Sequence, residues 1–154
     1  SGTIVIELDR NRAPKSVENF LNYVESGLYI GTIFHRVIPG FVIQTGGYNV
    51  DLSEIETLPE IINESGNGLK NQRMSVGMAR TNDPHSASSQ FYINLNDNFS
   101  LDPMPTRRGY AVFGDVIGGF SVVDVIASNA SQSAKGLQDV LLAPFIILEV
   151  NRIY

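Results

Sequence analysis

The chain has 154 residues, 43% of them hydrophobic, which suits one compact domain over 1–154 with a sizeable core. Eleven Lys and Arg against 16 Asp and Glu give a net charge of -5; this disfavours broad binding to a nucleic-acid backbone, and Arg107 with Arg108 adds only a small basic spot. The lack of cysteine removes disulfides, thiolate zinc sites and cysteine nucleophiles together.

In chain order, "TIVIEL" at 3–8 reads as a first strand. It starts almost at once and no Met precedes it, so a processed or trimmed chain is expected. From Pro14 to Glu25, Val17, Phe20, Leu21 and Val24 recur at helical spacing, with Pro in the first turn and Gly27 after the end, which predicts an amphipathic helix. Strands are predicted at "IFHRV" 33–37, "FVIQT" 41–45, "MSVGMA" 74–79, "QFYINL" 90–95, "YAVFGDV" 110–116 and "FIILEV" 145–150, between clusters of Gly, Pro, Asn, Asp and Ser. Phe120, Val123 and Ile126 mark a second helix over 119–128. Many strands with two helices point to an antiparallel sheet closed on itself, because closure removes exposed edges. No apolar run approaches the roughly 20 residues that span a bilayer, so a soluble protein without membrane association is expected. The loop-rich tracts 46–73 and 96–109 are long enough to be functional.

The segment "FHRVIPGFVIQTGG" at 34–47 forms two apolar runs around a Pro-Gly turn, yet Arg36 and Gln44 interrupt them. Arg36 and Gln44 are equally readable as a snorkelling edge arginine with a surface glutamine, or as a site. In the second case Arg36 is a fixed donor and positive charge, never a base, and Phe41 beside it offers a surface for an apolar ring. Asp83, His85 and Ser86, Ser88 or Ser89 invite a hydrolase triad, but they crowd into one turn and no "GxSxG" elbow occurs, so that reading is rejected. His35 alternates away from Arg36 and is expected to pack rather than bind metal. Asn63, Asn98 and Asn129 match a glycosylation pattern too short to carry weight. No phosphate-binding loop is present, and neither a nucleotide cofactor nor a nucleic-acid partner is supported.

Together, "FHRVIPGFVIQTGG", "MARTNDPHSASSQFYIN" and "YAVFGDVIGGFSVVDVI" resemble the cyclophilins, the peptidyl-prolyl isomerase family, over nearly the whole chain. "APKSVENFLNYVESGLY" resembles the family's first helix, and the wording is nearer the bacterial branch. The resemblance implies an all-β fold, a closed eight-stranded antiparallel barrel capped by two α-helices. It implies rotation about X-Pro bonds in peptides and folding proteins by a monomer, with no cofactor, metal or covalent intermediate. Carried over, Arg36, Phe41 and Gln44 are catalytic, with Arg36 donating to the prolyl nitrogen. Val42, Arg80, Thr81, Asn82, Gln90, Tyr92, Leu101 and Tyr110 contact substrate, and Phe99 lies close by. The chain has no Trp, whereas many eukaryotic members carry one near Phe99 or Ser100; weak cyclosporin binding follows. Val42 replaces a common Met, and Thr81 and Tyr110 stand where Asn and His are frequent. Two alternatives stay open: a binder of Pro-containing segments without turnover, and a lipocalin-like barrel with an apolar ligand in its lumen. The "NGLKNQRMSVGMART" wording favours a bacterial periplasmic location slightly over a cytoplasmic one.

Overall fold

The computed structural model describes residues 1–129, 131–134, 137–141 and 143–153. One antiparallel sheet holds six strands, β1 (Val5–Leu8), β2 (Arg36–Ile38), β3 (Val42–Thr45), β4 (Ser75–Met78), β5 (Phe91–Asn94) and β6 (Val112–Gly118), in the order β1-β6-β4-β5-β3-β2. Two further strands, β7 (Ser131–Ala134) and β8 (Leu137–Leu141), pair as a separate hairpin that the sequence reading did not anticipate. The expected strand at 145–150 is reduced to a single bridge between Ile33 and Ile146. It still pairs with the segment that leads into β2: Gly31 and Phe34 donate to the Ile147 and Phe145 carbonyls, and the Ile147 N–H returns to Thr32. Among the described residues no helix is long and apolar enough to cross a membrane.

Register sorts each strand into two faces. Val37 pairs with Ile43, Ile43 with Ile93 and Ile93 with Val76. All four are at most 1% exposed and belong to the main core, and burying each stabilises the fold by on the order of 2 kcal/mol. The residues one step along, Arg36, Gln44, Tyr92 and Gly77, form the parallel row on the opposite face.

Helix α1 (Pro14–Ser26) buries Val17, Phe20 and Leu21, and the Phe20 ring packs within 5.1–5.4 Å of Phe91, Phe113 and Tyr29. Its first-turn amides, which have no partner inside the helix, find one from afar: Glu64 accepts from the Ser16 N–H at 2.6 Å and the Lys15 N–H at 3.2 Å, complementing the positive end of the helix dipole. Gly27 ends the helix at φ 75°, where the left-handed conformation lets the Gly27 and Leu28 amides satisfy the last carbonyls. Helix α2 (Phe120–Ala127) buries Val123 and Ile126 against the same core.

Candidate active site

The outer row begins where β2 turns into β3. Pro39 and Gly40 make the turn, closed by the Phe41 N–H on the Ile38 carbonyl at 3.0 Å, and Gly40 takes the positive φ of 75° that such a Pro-Gly turn needs. This sets Arg36 directly across from Gln44, and Gln44 across from Tyr92. Opposed positions lie about 5 Å apart at Cβ, so one row of the sheet gathers a cation, an amide and an aromatic. The Gln44 Nε2 donates to Gln90 Oε1 at 2.7 Å, which adds the fourth polar member. The Arg36 guanidinium has no carboxylate or carbonyl partner among the described residues and is half-buried, so its donors are free for a ligand.

Val42 and Tyr92 are buried, at 3% and 4% exposure, yet neither belongs to the main core. They back the outer face. Tyr92 lies across β4 at Gly77, where any Cβ would meet the phenol Cζ at 2.5 Å, so only glycine admits it. Its hydroxyl donates to Asn71 Oδ1 at 2.6 Å, and burial raises the phenol's pKa well above its usual value, keeping it a donor.

Behind this surface lies a buried amide network that the sequence reading missed. Asn71, fully buried, donates through its backbone N–H and Nδ2 to Asp102 Oδ1 at 2.8 and 2.9 Å and through Nδ2 to the Tyr110 carbonyl at 3.2 Å. Asn94 donates to Asn71 Oδ1 and Ser75 Oγ, and Asn98 donates to Asn94 Oδ1 and to the Phe41 carbonyl, the last two at 2.8 Å. The Leu95 N–H also reaches the Phe41 carbonyl at 2.8 Å. Phe41 therefore has a locked backbone under a half-exposed ring. Asn98, engaged inward, is not an exposed glycosylation acceptor. No signal in the sequence marked these residues, because Asn in a loop reads first as turn chemistry.

The opposite wall comes from the loops at 79–87 and 99–110. Leu101 and Tyr110 are tied by the Tyr110 N–H on the Leu101 carbonyl at 2.8 Å, and the Tyr110 ring meets Tyr92 edge-on at 6.2 Å. The Arg80 guanidinium lies 4.3 Å over the Tyr110 ring and donates to the carbonyls of Thr81, Arg108 and Gly109. Thr81 and Asn82 are exposed on the adjoining turn, where Ser86 Oγ accepts from the Thr81 N–H and hydroxyl. Ser100 lines a groove that these loops form with Arg80, Asn82, Leu101 and Tyr110; Phe99, 51% exposed in a 3-10 turn, is not among the lining residues. The supposed triad does not assemble: Ser86 donates to the Asp83 carbonyl, and His85 Nδ1 accepts from the Asn63 N–H. No cluster of three His or acidic residues could hold a metal ion among the described residues.

His35 is buried at 4% exposure against Tyr48, with ring centroids 4.6 Å apart, and its Nδ1 has no hydrogen-bond partner. Burial first and the neighbouring Arg36 charge second lower its pKa to about 4. It packs, as its alternation predicts, and stays neutral at physiological pH.

The outer face of the antiparallel sheet thus carries an unpartnered arginine in register with an amide and an aromatic, beside loops that form a concave surface. Residues 1–152 match the family model described as cyclophilin-type peptidyl-prolyl cis-trans isomerase/CLD. The chain is 53% identical over 150 residues to a peptidyl-prolyl cis-trans isomerase of Streptomyces antibioticus, covering 96% of this chain and 90% of that one. It is 45% identical over 154 residues to peptidyl-prolyl cis-trans isomerase B of Escherichia coli, covering 97% and 93%. The crystal structure of a Cryptosporidium parvum cyclophilin-type isomerase, in the presence of the dipeptide Ala-Pro, superposes with a TM-score of 0.73 at 28% identity, covering 95% and 89%. The chain belongs to the cyclophilin-type peptidyl-prolyl cis-trans isomerase family and is an enzyme of that class.

Proposed function

We propose that the outer groove rotates X-Pro bonds in peptides and folding proteins by hydrogen bonding from Arg36 to the prolyl nitrogen, without a covalent intermediate. The X-Pro amide resists rotation by roughly 20 kcal/mol because the nitrogen shares its lone pair with the carbonyl. As the bond twists, that pair localises on nitrogen and becomes an acceptor. An arginine keeps its charge and its donors throughout, so its bond strengthens in the twisted state and is weak in the planar one. Phe41 and Leu101 hold the pyrrolidine ring over the buried Val42 and Tyr92, Gln44 with Gln90 fixes the substrate carbonyl, and backbone groups at 80–82 align the residue before proline. The Ala-Pro dipeptide of the Cryptosporidium structure supports a proline-containing peptide as the ligand.

The observation that carries this reading is the partnerless guanidinium of Arg36, set in register with Gln44 and Tyr92. Removing one transition-state donor costs about a hundredfold to a thousandfold in rate. Arg36→Ala is expected to lose kcat/KM on an X-Pro tetrapeptide on that scale, with an unchanged circular dichroism spectrum. Arg36→Lys recovers little, because a point-charge ammonium lacks the planar fork. Near-native turnover by the folded alanine variant refutes the mechanism.

A further inference from the structure

We infer that the groove beside Leu101 and Tyr110 selects proline-containing segments that carry a carboxylate side chain within a few residues of the proline. The inference rests on the peptide-binding reading above and adds a preference to it. Arg80, Arg107 and Arg108 line this groove with Asn82 and Ser100, and no acidic residue does. Three of the 11 basic residues of a chain with net charge -5 thus converge on one concave surface. The ion pairs among the described residues are Arg73 with Asp124 and Arg152 with Glu25. None of the three groove arginines has a carboxylate partner among the described residues.

The nearby acids are engaged elsewhere. Asp102, next to Leu101, accepts two bonds from the buried Asn71, and Asp83 accepts from the His85 N–H. A solvated basic face would show mobile side chains, but Arg80 is braced by three backbone carbonyls and the Tyr110 ring, and Arg107 by the carbonyls of Ser100 and Arg108. Those bonds consume only part of each five-donor guanidinium, and Arg108 donates none from its side chain among the described residues. Braced donors with unspent N–H groups cost a carboxylate little ordering entropy to engage. Tyr110 and Leu101 belong to the wall that would hold the proline ring, so the charged side chain sits within a few residues of it.

The test uses the full chain and a set of tetrapeptides alike except for Glu, Gln or Lys at one position, first before and then after the proline. Turnover is measured as kcat/KM, and affinity separately by fluorescence anisotropy of labelled peptides. The Glu peptide is expected to exceed the Gln peptide by about three- to tenfold in one placement, with Lys below both; each partly exposed pair contributes no more than about 1 kcal/mol. Raising salt to 0.5 M shrinks the difference. Arg107→Gln with Arg108→Gln collapses it while leaving turnover of the Gln peptide unchanged, and Arg108→Lys, which keeps the charge, retains it. Equal affinity for the three peptides in both placements, or a preference that persists in the double Gln variant, overturns the inference. Charge-selective binding without turnover sustains it and removes the isomerase mechanism; turnover without charge selection does the reverse.

Discussion

Acidification should destabilise the native chain through His35. Its pKa falls from the ordinary 6.5 to about 4 on folding, because the ring is buried and Arg36 lies beside it. The unfolded chain therefore binds more protons than the folded one between those values, so this contribution is complete above about pH 6.5 and is lost as the pH falls through 4. A fall of that size corresponds to about 3 kcal/mol, a large share of a typical domain's stability. Asp115 acts in the opposite sense: burial, then Glu7 and Asp9, raise its pKa, so it favours the folded state as pH falls. The comparison that isolates the histidine is urea unfolding of the native chain and of His35→Gln from pH 8 to pH 4, since Asp115 and every other group are common to both. The stability of the native chain relative to the variant is expected to drop by about 3 kcal/mol across that range. An NMR titration of the His35 ring should place its midpoint near 4. A midpoint near 6.5, or a stability difference indifferent to pH, refutes the account of a buried neutral imidazole.

Asn71→Ala removes the hub of the amide network, leaving the buried Tyr92 hydroxyl without its acceptor and taking one bond each from Asn94 and Asp102; a loss of about 2–4 kcal/mol in denaturant unfolding is expected, together with reduced turnover. Phe41→Ala should lower turnover while the melting temperature barely moves, since the ring is half-exposed; a core aromatic would cost about 3–5 kcal/mol instead. Cyclosporin should inhibit the native chain poorly, about tenfold to a hundredfold or more below a member with a rim tryptophan, because one indole donor and its apolar face are missing. Inhibition titrations should show a larger gain for Ser100→Trp than for Phe99→Trp, because Ser100 lines the groove and Phe99 does not.

The strands that carry the site were legible as short apolar runs between turn clusters, and pairing Val37, Ile43, Ile93 and Val76 on the core face sets the intervening residues on the other. Helix α1 announced itself through its spacing, Pro14 and Gly27. The β7–β8 hairpin was not legible, since "SQSA" and "LQDVL" lack alternating apolar residues and contain small or polar ones that read as loop. The segment at 145–150 erred the other way. Its apolar run is real and packs on the core through Phe145, Ile147 and Val150, but only its first half meets a partner backbone. Asn71 and Asp102 were invisible for a different reason: they lie 31 residues apart, and their importance comes from a meeting that no local pattern encodes.

That network also bears on how the proposed chemistry distributes rigidity. Phe41 is braced through its carbonyl by Asn98 and Leu95, and Arg80 through its guanidinium by three carbonyls, so the surfaces that would receive the ring and the preceding residue are fixed before substrate arrives. Arg36 has no brace on its guanidinium among the described residues. On a static target that would be a weakness, because an unrestrained side chain must be ordered on binding. The prolyl nitrogen, however, changes shape and direction as its bond rotates. A fixed donor would suit one angle of that rotation; a donor on a long flexible stem, anchored at β2 opposite Gln44, can follow the lone pair while the walls keep the ring still. On the proposed mechanism, stiffness would lie where the substrate must not move and freedom at the atom where the transition state develops.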